Sequence, residues 1–310
     1  MADTAHTDVH PRERRMRLPL TALGMSSRGD WSVSAGSRRP PYLAFAALVL
    51  FVLVAVFAPL ISPASPLAID LGAALRPPFW AGGGSTDHLL GTDQLGRDVL
   101  SRIIHGTRPA LVVALASVSI AAVIGSAIGI ASAYSSGWVD QVLMRIVDVM
   151  LSFPAMLLAL LLAARLGPGL GNVIIVISLI LWASYARQVR GDAMVVMKKD
   201  FLALARTGGR RGPAIMARHV LPNVVNTIIV MATLQIGIVI ILEASLSFLG
   251  VGVPPPNPTW GGMITDGRGL IETAWWLSVA PGLAILGLVL AVNVVGEWLE
   301  GFLDPRRRGS

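Results

Sequence analysis

The sequence predicts an all-α integral membrane protein with six transmembrane helices. Hydrophobic residues make up 54% of the 310 residues and charged residues only 14%, whereas a soluble domain contains roughly 25% charged residues. Long uncharged runs recur along the chain, and Lys and Arg collect on alternate connecting segments. This composition excludes an ordinary water-facing surface, and it makes a membrane bundle the expected architecture.

Six apolar runs approach the length of about 20 helical residues that crosses a bilayer core. They lie at residues 42–61, 110–133, 149–164, 173–186, 224–241 and 275–295. The fourth run is short and ends in polar residues, so a buried helix that does not span is its alternative. The first run follows a basic segment, but it is longer than the roughly 7–15 apolar residues of a signal peptide. We therefore interpret it as an uncleaved membrane anchor.

The positions of Lys and Arg predict the orientation, because cytoplasmic loops are enriched in both. If the N-terminus is cytoplasmic, 19 of the 25 basic residues lie on cytoplasmic segments and six on outer ones. We therefore expect both termini in the cytoplasm, with a flexible basic N-terminus at 1–41, an extracytoplasmic loop at 62–109, a five-helix core at 110–298 and a tail at 299–310. The basic residues lack the interleaved aromatic residues of a nucleic-acid surface, so no nucleic acid partner is expected.

Small and helix-bending residues occur within the runs. Gly125 and Gly129 lie on one face of the second span, where small side chains allow another helix to approach closely. Pro154 in the third span and Pro281 in the sixth each remove a backbone hydrogen bond, so both are expected to kink their helices.

Ionisable residues are scarce in the spans and lie near their ends. Asp148 follows Arg145 by one turn, which predicts an interfacial ion pair. Glu243 lies near the outer end of the fifth span, and Glu297 and Glu300 lie at the inner end of the sixth. Ion-driven carriers place ionisable groups along the pathway inside the membrane, so this pattern disfavours an ion-driven carrier.

The chain also lacks the motifs of common membrane enzymes. It has no cysteine, and its five histidines are scattered along the sequence. It contains no His-Glu-x-x-His metal motif, no Gly-x-Ser-x-Gly elbow and no Gly-x-x-x-x-Gly-Lys phosphate loop. We therefore expect no metal site, no cofactor and no enzymatic activity.

One long cytoplasmic loop, residues 187–221, contains the signals of a short helix. Asp200 is a favourable N-cap, and Gly208 and Gly209 are favourable residues just after a helix. Residues 201–207 are therefore predicted to form a helix of about two turns.

This short helix is predicted to carry an apolar stripe. Phe201, Leu204 and Ala205 share one face, whereas Arg206 projects elsewhere. Such a helix can insert into a groove of a soluble partner, or it can lie on the lipid surface. The local features leave both interpretations open.

The loop resembles the cytoplasmic motif of the permease subunits of bacterial ABC importers, in the dipeptide/oligopeptide/nickel family. That motif reads Glu-Ala-Ala, three residues, Gly, and then nine residues before Ile-x-Leu-Pro or a close variant. Here Ala203-Leu204-Ala205 is followed by Gly209, and His219-Val220-Leu221-Pro222 falls at the family's spacing. Ala203 stands in place of the glutamate and Leu204 in place of an alanine. The helix is unaffected, because Ala is the best helix former.

The resemblance covers about residues 42–308. Further segments similar to the family lie at 90–102, 243–252, 254–261 and 303–306. The closest likeness is to the second permease of dipeptide importers, to which Arg76-Pro77-Pro78 and the Gly-rich run after it contribute.

The resemblance implies a type I ABC importer permease in the bacterial inner membrane. Its partners would be a second permease, two cytoplasmic ATPases that hydrolyse ATP, and an extracytoplasmic binding protein. Its cargo would be dipeptides or short peptides, with oligopeptides, glutathione and nickel chelates as alternatives. The residues implied to couple the chain to an ATPase are Asp200, Phe201, Ala203, Leu204, Ala205, Arg206, Gly209, His219 and Pro222.

Overall fold

The structure, a computed structural model, describes residues 40–135, 137–207 and 212–303. The regular secondary structure in this part of the chain is helical, apart from one isolated antiparallel bridge between Thr92 and Asp98. The helices in chain order are α1 (Tyr42–Ile61), α2 (Val99–Ser135), α3 (Gly137–Ser152), α4 (Ala155–Leu166), α5 (Leu170–Met197), α6 (Asp200–Thr207), α7 (Gly212–Ile215), α8 (Leu221–Phe248), α9 (Trp260–Gly267) and α10 (Trp276–Leu303). A π-helical turn, Met216–Val220, joins α7 to α8.

Among the described residues, five single helices are long and apolar enough to cross a membrane. They are α1, α2, α5, the continuous helix Gly212–Phe248 that contains α8, and α10. The bounds of α1 are those of the first apolar run. The fourth run proves long enough to span, because α5 continues beyond its apolar part as far as Met197. Similarly, α2 begins at Val99, before the predicted start of its span.

The third apolar run, predicted as a single span at 149–164, forms two helices instead of one. Together the two are long and apolar enough to cross a membrane, so the described part of the chain has six spans if this bent pair is one span. The chain is helical in α3 and α4, and the two helix axes differ by 89° across the break at Phe153 and Pro154. Pro154 has no N–H to donate, and it disfavours helical geometry at the residue before it. The predicted kink is therefore a full elbow. By contrast, α10 continues through Pro281 without a break.

Helices α2 and α5 pack against each other along most of their length. Gly129 lies directly against the α5 backbone, since a Cβ atom there would stand 2.6 Å from the Ala186 carbonyl oxygen, and a Cβ atom on Gly125 would stand 2.5 Å from the Tyr185 Cβ. The predicted close approach at the two glycines is therefore confirmed. Buried side chains of α2, α4, α5, α8 and α10 form the main core around this pair.

Helix α1 lies at the edge of the bundle, against α2 and α10. Its Phe45 ring contacts the Trp298 ring edge-on, with centroids 5.4 Å apart, and Phe51 makes a similar contact with Trp260 at 6.2 Å. Most of its other large apolar side chains are exposed. An apolar helix with so much exposed surface is suited to contact with lipid.

Candidate functional site

Helix α6 reaches the bundle through Leu202, the buried one among its described side chains. Leu202 is fully buried, in an apolar cluster with Val189, Ala193 and Val196 of α5. The cluster is completed by Ile130 of α2 and by Ile215, Val220 and Val224 of the helix that leads into the membrane after α6. We call this set of residues the anchor cluster. The cluster therefore joins α6 to residues of α2, α5 and the helix Gly212–Phe248.

The opposite face of α6 is apolar and exposed. Leu204 is 71% exposed and Phe201 is 39% exposed, and the Phe201 ring stands 6.3 Å from the His219 ring, centroid to centroid. Leu202 and Leu204 are about 200° apart around a helix, so one anchors α6 and the other faces away. Of the predicted stripe of Phe201, Leu204 and Ala205, the first two side chains are exposed, and the Ala205 side chain lies outside the described part of the structure.

The remaining candidate residues lie either in and just after α6 or around the start of α8, and the first group is the less completely described. Ala203, Ala205 and Arg206 lie within α6, but their side chains fall outside the described part of the structure, and Gly209 lies outside the described residues altogether. Asp200 is the first residue of α6, at the end where a negative charge complements the helix dipole.

His219 and Pro222 lie where the chain re-enters the bundle. His219 belongs to the π-helical turn, and Pro222 is the second residue of α8. The Asn223 side chain donates a hydrogen bond of 2.8 Å to the His219 carbonyl oxygen. The amide of Asn223 thereby helps to satisfy a backbone acceptor in a turn that the proline interrupts.

Two acidic residues of α3 form ion pairs with α5 near this end of the bundle. Arg190 donates from Nε to Asp140 Oδ1 at 2.5 Å and from Nη2 to Asp140 Oδ2 at 2.6 Å. Asp148 pairs with Arg187. The sequence prediction that Asp148 would pair with Arg145 is wrong, because tertiary packing brings α5 closer to Asp148 than the residue one turn away on its own helix.

The other end of α2 carries a denser polar network. The Asp93 carboxylate accepts hydrogen bonds from the backbone N–H groups of Leu95 and Arg97, from Arg97 Nε at 2.7 Å, and from Arg102. Both arginines also reach Asp266 of α9, at 3.7 Å and 3.5 Å. We call Asp93, Arg97, Arg102 and Asp266 the charged network.

Two tryptophans connect this network to the rest of the fold. Trp276 Nε1 donates to the Thr92 carbonyl oxygen at 3.1 Å, and Trp260 Nε1 donates to the Ile103 carbonyl oxygen at 3.0 Å. Each joins segments more than 150 residues apart in the sequence. This end of the bundle is therefore fixed by buried, directional bonds.

A cleft of about 460 Å³ opens beside the charged network. Arg97, Arg102 and Asp266 contribute to its wall, as do Ser247 and the loop of prolines 254–256. Glu243 lies just behind it, fully buried, and accepts a hydrogen bond of 2.7 Å from Ser247 Oγ. Among the described residues, no group of three His, Asp or Glu side chains converges in a way that could hold a metal ion.

A family model described as "binding-protein-dependent transport system inner membrane component" matches residues 121–309. The chain belongs to this family. Within it, the chain is 41% identical to the di/tripeptide transport system permease protein of Pseudomonas aeruginosa, over 85% of this chain and 87% of that protein. It is also 41% identical to the glutathione transport system permease protein of Pectobacterium atrosepticum, over 72% of this chain and 74% of that protein.

A solved structure shares the fold of this transport component. A chain of the MetNI methionine ABC transporter, in an inward-facing conformation, matches with a TM-score of 0.55 and 16% identity, over 66% of this chain and 96% of that chain. At that identity the match establishes the helical arrangement alone. Family and fold together make the chain a multi-pass membrane component of an ABC transporter, and not an enzyme.

The transport component also contains structural residues that sequence reasoning missed. The sequence did not identify Leu202 as the buried residue of α6, because a short helix with apolar residues on both faces gives no indication of which face is buried. Asp140 and Arg190, 50 residues apart, carry no local signal. Within the charged network, the one local signal in the sequence is the i, i+4 spacing of Asp93 and Arg97, which is compatible with an ion pair.

Proposed function

We propose that this chain forms half of the translocation pathway of an importer for dipeptides or short peptides. Two cytoplasmic ATPase subunits drive it, and a second, homologous permease completes the pathway. The peptide assignment is supported by the di/tripeptide permease relative, which matches nearly the full length of both chains. The glutathione permease relative keeps that tripeptide as the second candidate cargo.

In this proposal the α6 end of the bundle faces the cytoplasm of a bacterial cell, and both termini lie on that side. The support is the distribution of basic residues, with 19 of 25 on the segments assigned to the cytoplasm. The charged network and its cleft then face the extracytoplasmic side, where a substrate-binding protein delivers the peptide.

The observation that carries the proposal is the division of α6 into two faces. Leu202 is buried in the anchor cluster, whereas Leu204 leaves most of its apolar surface uncovered. A helix in a groove is recognised through such spaced apolar side chains. Leu204 and Phe201 are therefore our proposed contacts with an ATPase subunit, and the anchor cluster is the route by which movement of that subunit reaches α2, α5 and α8.

Leu204→Asp tests the docking of α6, with Leu71→Asp as the matched control. Leu71 is 70% exposed but lies on the loop before α2. We expect Leu204→Asp to abolish most co-purification of the ATPase subunits with the permease, because a carboxylate is costly to bury in an apolar groove. Leu71→Asp should leave co-purification unchanged. Full ATPase binding by Leu204→Asp would instead favour the alternative in which α6 lies on the lipid surface.

Competition for uptake tests the cargo. Cells that contain this importer as their single peptide system would take up radiolabelled dialanine in the presence of excess dipeptide, oligopeptide, glutathione or a nickel–histidine complex. We expect dipeptides and tripeptides to compete most strongly. Uptake of labelled glutathione without uptake of dialanine would assign the second candidate, and uptake of the labelled nickel complex alone would contradict peptide import.

A further inference from the structure

Two ion pairs join α3 to α5, and they differ in quality. In the first, Asp140 and Arg190 share two parallel hydrogen bonds, and their side chains are only 16% and 27% exposed. In the second, Asp148 and Arg187 make one contact, and their side chains are 52% and 54% exposed. A bidentate pair that is mostly buried fixes the relative position of its two helices, whereas an exposed single contact is screened by water and salt.

A third helix joins the first pair. Ser132, near the end of α2, also donates a hydrogen bond to Asp140. At the same level, Gly129 of α2 lies against α5, where a Cβ atom would stand 3.0 Å from the Arg190 backbone nitrogen. Asp140 therefore links α3 to both α2 and α5 at a level where those two helices are in close contact. We call Asp140, Arg190 and Ser132 the clamp.

The clamp lies on a direct path from α6. Helix α5 continues without a break from Arg190 to Met197, and the next turn leads into α6. Val189 and Ala193, which flank Arg190 along the chain, belong to the same anchor cluster as Leu202. The anchor cluster thereby joins α6 to the segment of α5 that carries Arg190.

Beyond the clamp, the path leads to the broken span. Asp140 lies in the first turn of α3, which runs from there to the elbow at Phe153 and Pro154. Helix α4, after the elbow, packs against α5 and α8. The clamp is thus the strongest polar link, among the described residues, between the α6 end of α5 and the α3–α4 segment.

We propose that Asp140 is a positioning residue for transport, which transmits movement of α6 through Arg190 to the α3–α4 segment. This inference rests on the proposed docking of an ATPase subunit on α6. Without the clamp, α6 and α5 still move with the ATPase subunits, but α3 and α4 no longer follow. Nucleotide hydrolysis then continues while the pathway fails to respond.

The chain has no native cysteine, so a single introduced cysteine can report the movement. Leu161→Cys places a fluorescent label on an exposed position of α4. The complex with its ATPase and binding-protein partners, in proteoliposomes, is measured with and without ATP for the label signal, for ATP hydrolysis and for dialanine uptake. Asp140→Asn is the test variant, and Asp148→Asn, on the same helix and facing the same partner helix, is the matched control.

We expect Asp140→Asn to lower the nucleotide-dependent label signal and the peptide uptake per ATP by about fivefold or more, a usual size for coupling between sites. ATP hydrolysis should stay within about twofold of the parent, and Asp148→Asn should behave as the parent does. An unchanged label signal in Asp140→Asn would overturn the inference, as would an equal loss in Asp148→Asn.

A second variant guards against simple misfolding. Arg190→Lys keeps the positive charge but cannot form two parallel bonds to a carboxylate, and we expect an intermediate label signal with normal amounts of assembled complex. A parent-like signal in Arg190→Lys, together with a poorly assembled Asp140→Asn, would assign the clamp a folding role and overturn the inference. Failure of the ATPase subunits to bind the parent chain would refute the proposed function instead.

Discussion

The two ends of α2 are built on different principles. At its beginning, the charged network and two indole N–H groups fix loops and helices through directional bonds that are buried or partly buried. At its end, α6 buries Leu202 in the anchor cluster, while Leu204 is 71% exposed. Buried polar networks specify a single arrangement, whereas exposed apolar side chains on a helix can dock in the groove of a partner. The rigid end is therefore suited to hold the fold, and the α6 end to respond to a partner.

A similar contrast separates the α2–α5 pair from the α3–α4 segment. Helices α2 and α5 are in direct backbone contact at Gly129, which leaves no room for sliding without a clash. Helix α3 is instead joined to them by side chains, through the ion pairs of Asp140 and Asp148 and the apolar packing of Val147. Side-chain links can be released and remade, so we expect the α3–α4 segment to be the more mobile part of the bundle.

The largest effect should follow from Arg102→Met at the rigid end. This change leaves the buried Asp93 carboxylate with Arg97 as its remaining charged partner. Removing one member of a buried pair costs about 3 kcal/mol or more, so the midpoint of thermal unfolding in detergent should fall clearly. Arg108→Met, at an exposed position on the same helix, is the matched control. Equal midpoints for the two variants would show that the network does not hold the fold.

Leu202→Ala should act locally, at the α6 end. Truncating a fully buried leucine costs about 2–3 kcal/mol where the neighbours can relax, and that loss falls on the docking of α6 rather than on the whole bundle. We expect faster hydrogen exchange and proteolysis at 198–207, with little change in the unfolding midpoint. Leu204→Ala, on the exposed face, should leave both unchanged. A large drop in the midpoint for Leu202→Ala would contradict local docking.

The spans and α6 could be predicted from the sequence because they depend on local patterns. Apolar length alone gave α1 its bounds, and the N-cap and glycine signals around 200–209 gave α6. The bend at Pro154 is larger than the kink that the sequence predicts. The break is not evident from hydropathy, because the apolar run continues through Pro154. A hydropathy pattern measures length and polarity, and it does not record where a helix changes direction.

The side-chain networks could not be predicted in the same way. Gln94 donates to the Asp266 carbonyl oxygen, 172 residues away, and no periodicity relates such positions. The Asp148 prediction failed for the same reason, since its true partner Arg187 lies on another helix. Contacts of this kind depend on how helices are arranged in space, which local sequence does not encode.

The smallest effect should come from Trp276→Phe, which removes the hydrogen bond to the Thr92 carbonyl oxygen and keeps most of the ring. The loss of stability should be about 1–2 kcal/mol, because the hydrogen bond is lost and a buried carbonyl is left without this donor. Trp275→Phe is the matched control, since the neighbouring ring is 40% exposed. The measurement is hydrogen exchange of residues 91–98 in the detergent-purified protein. If only the Trp276 variant speeds exchange there, the rigid end depends on its indole bond; equal exchange in both would mean that packing of the ring, and not the bond, fixes the loop.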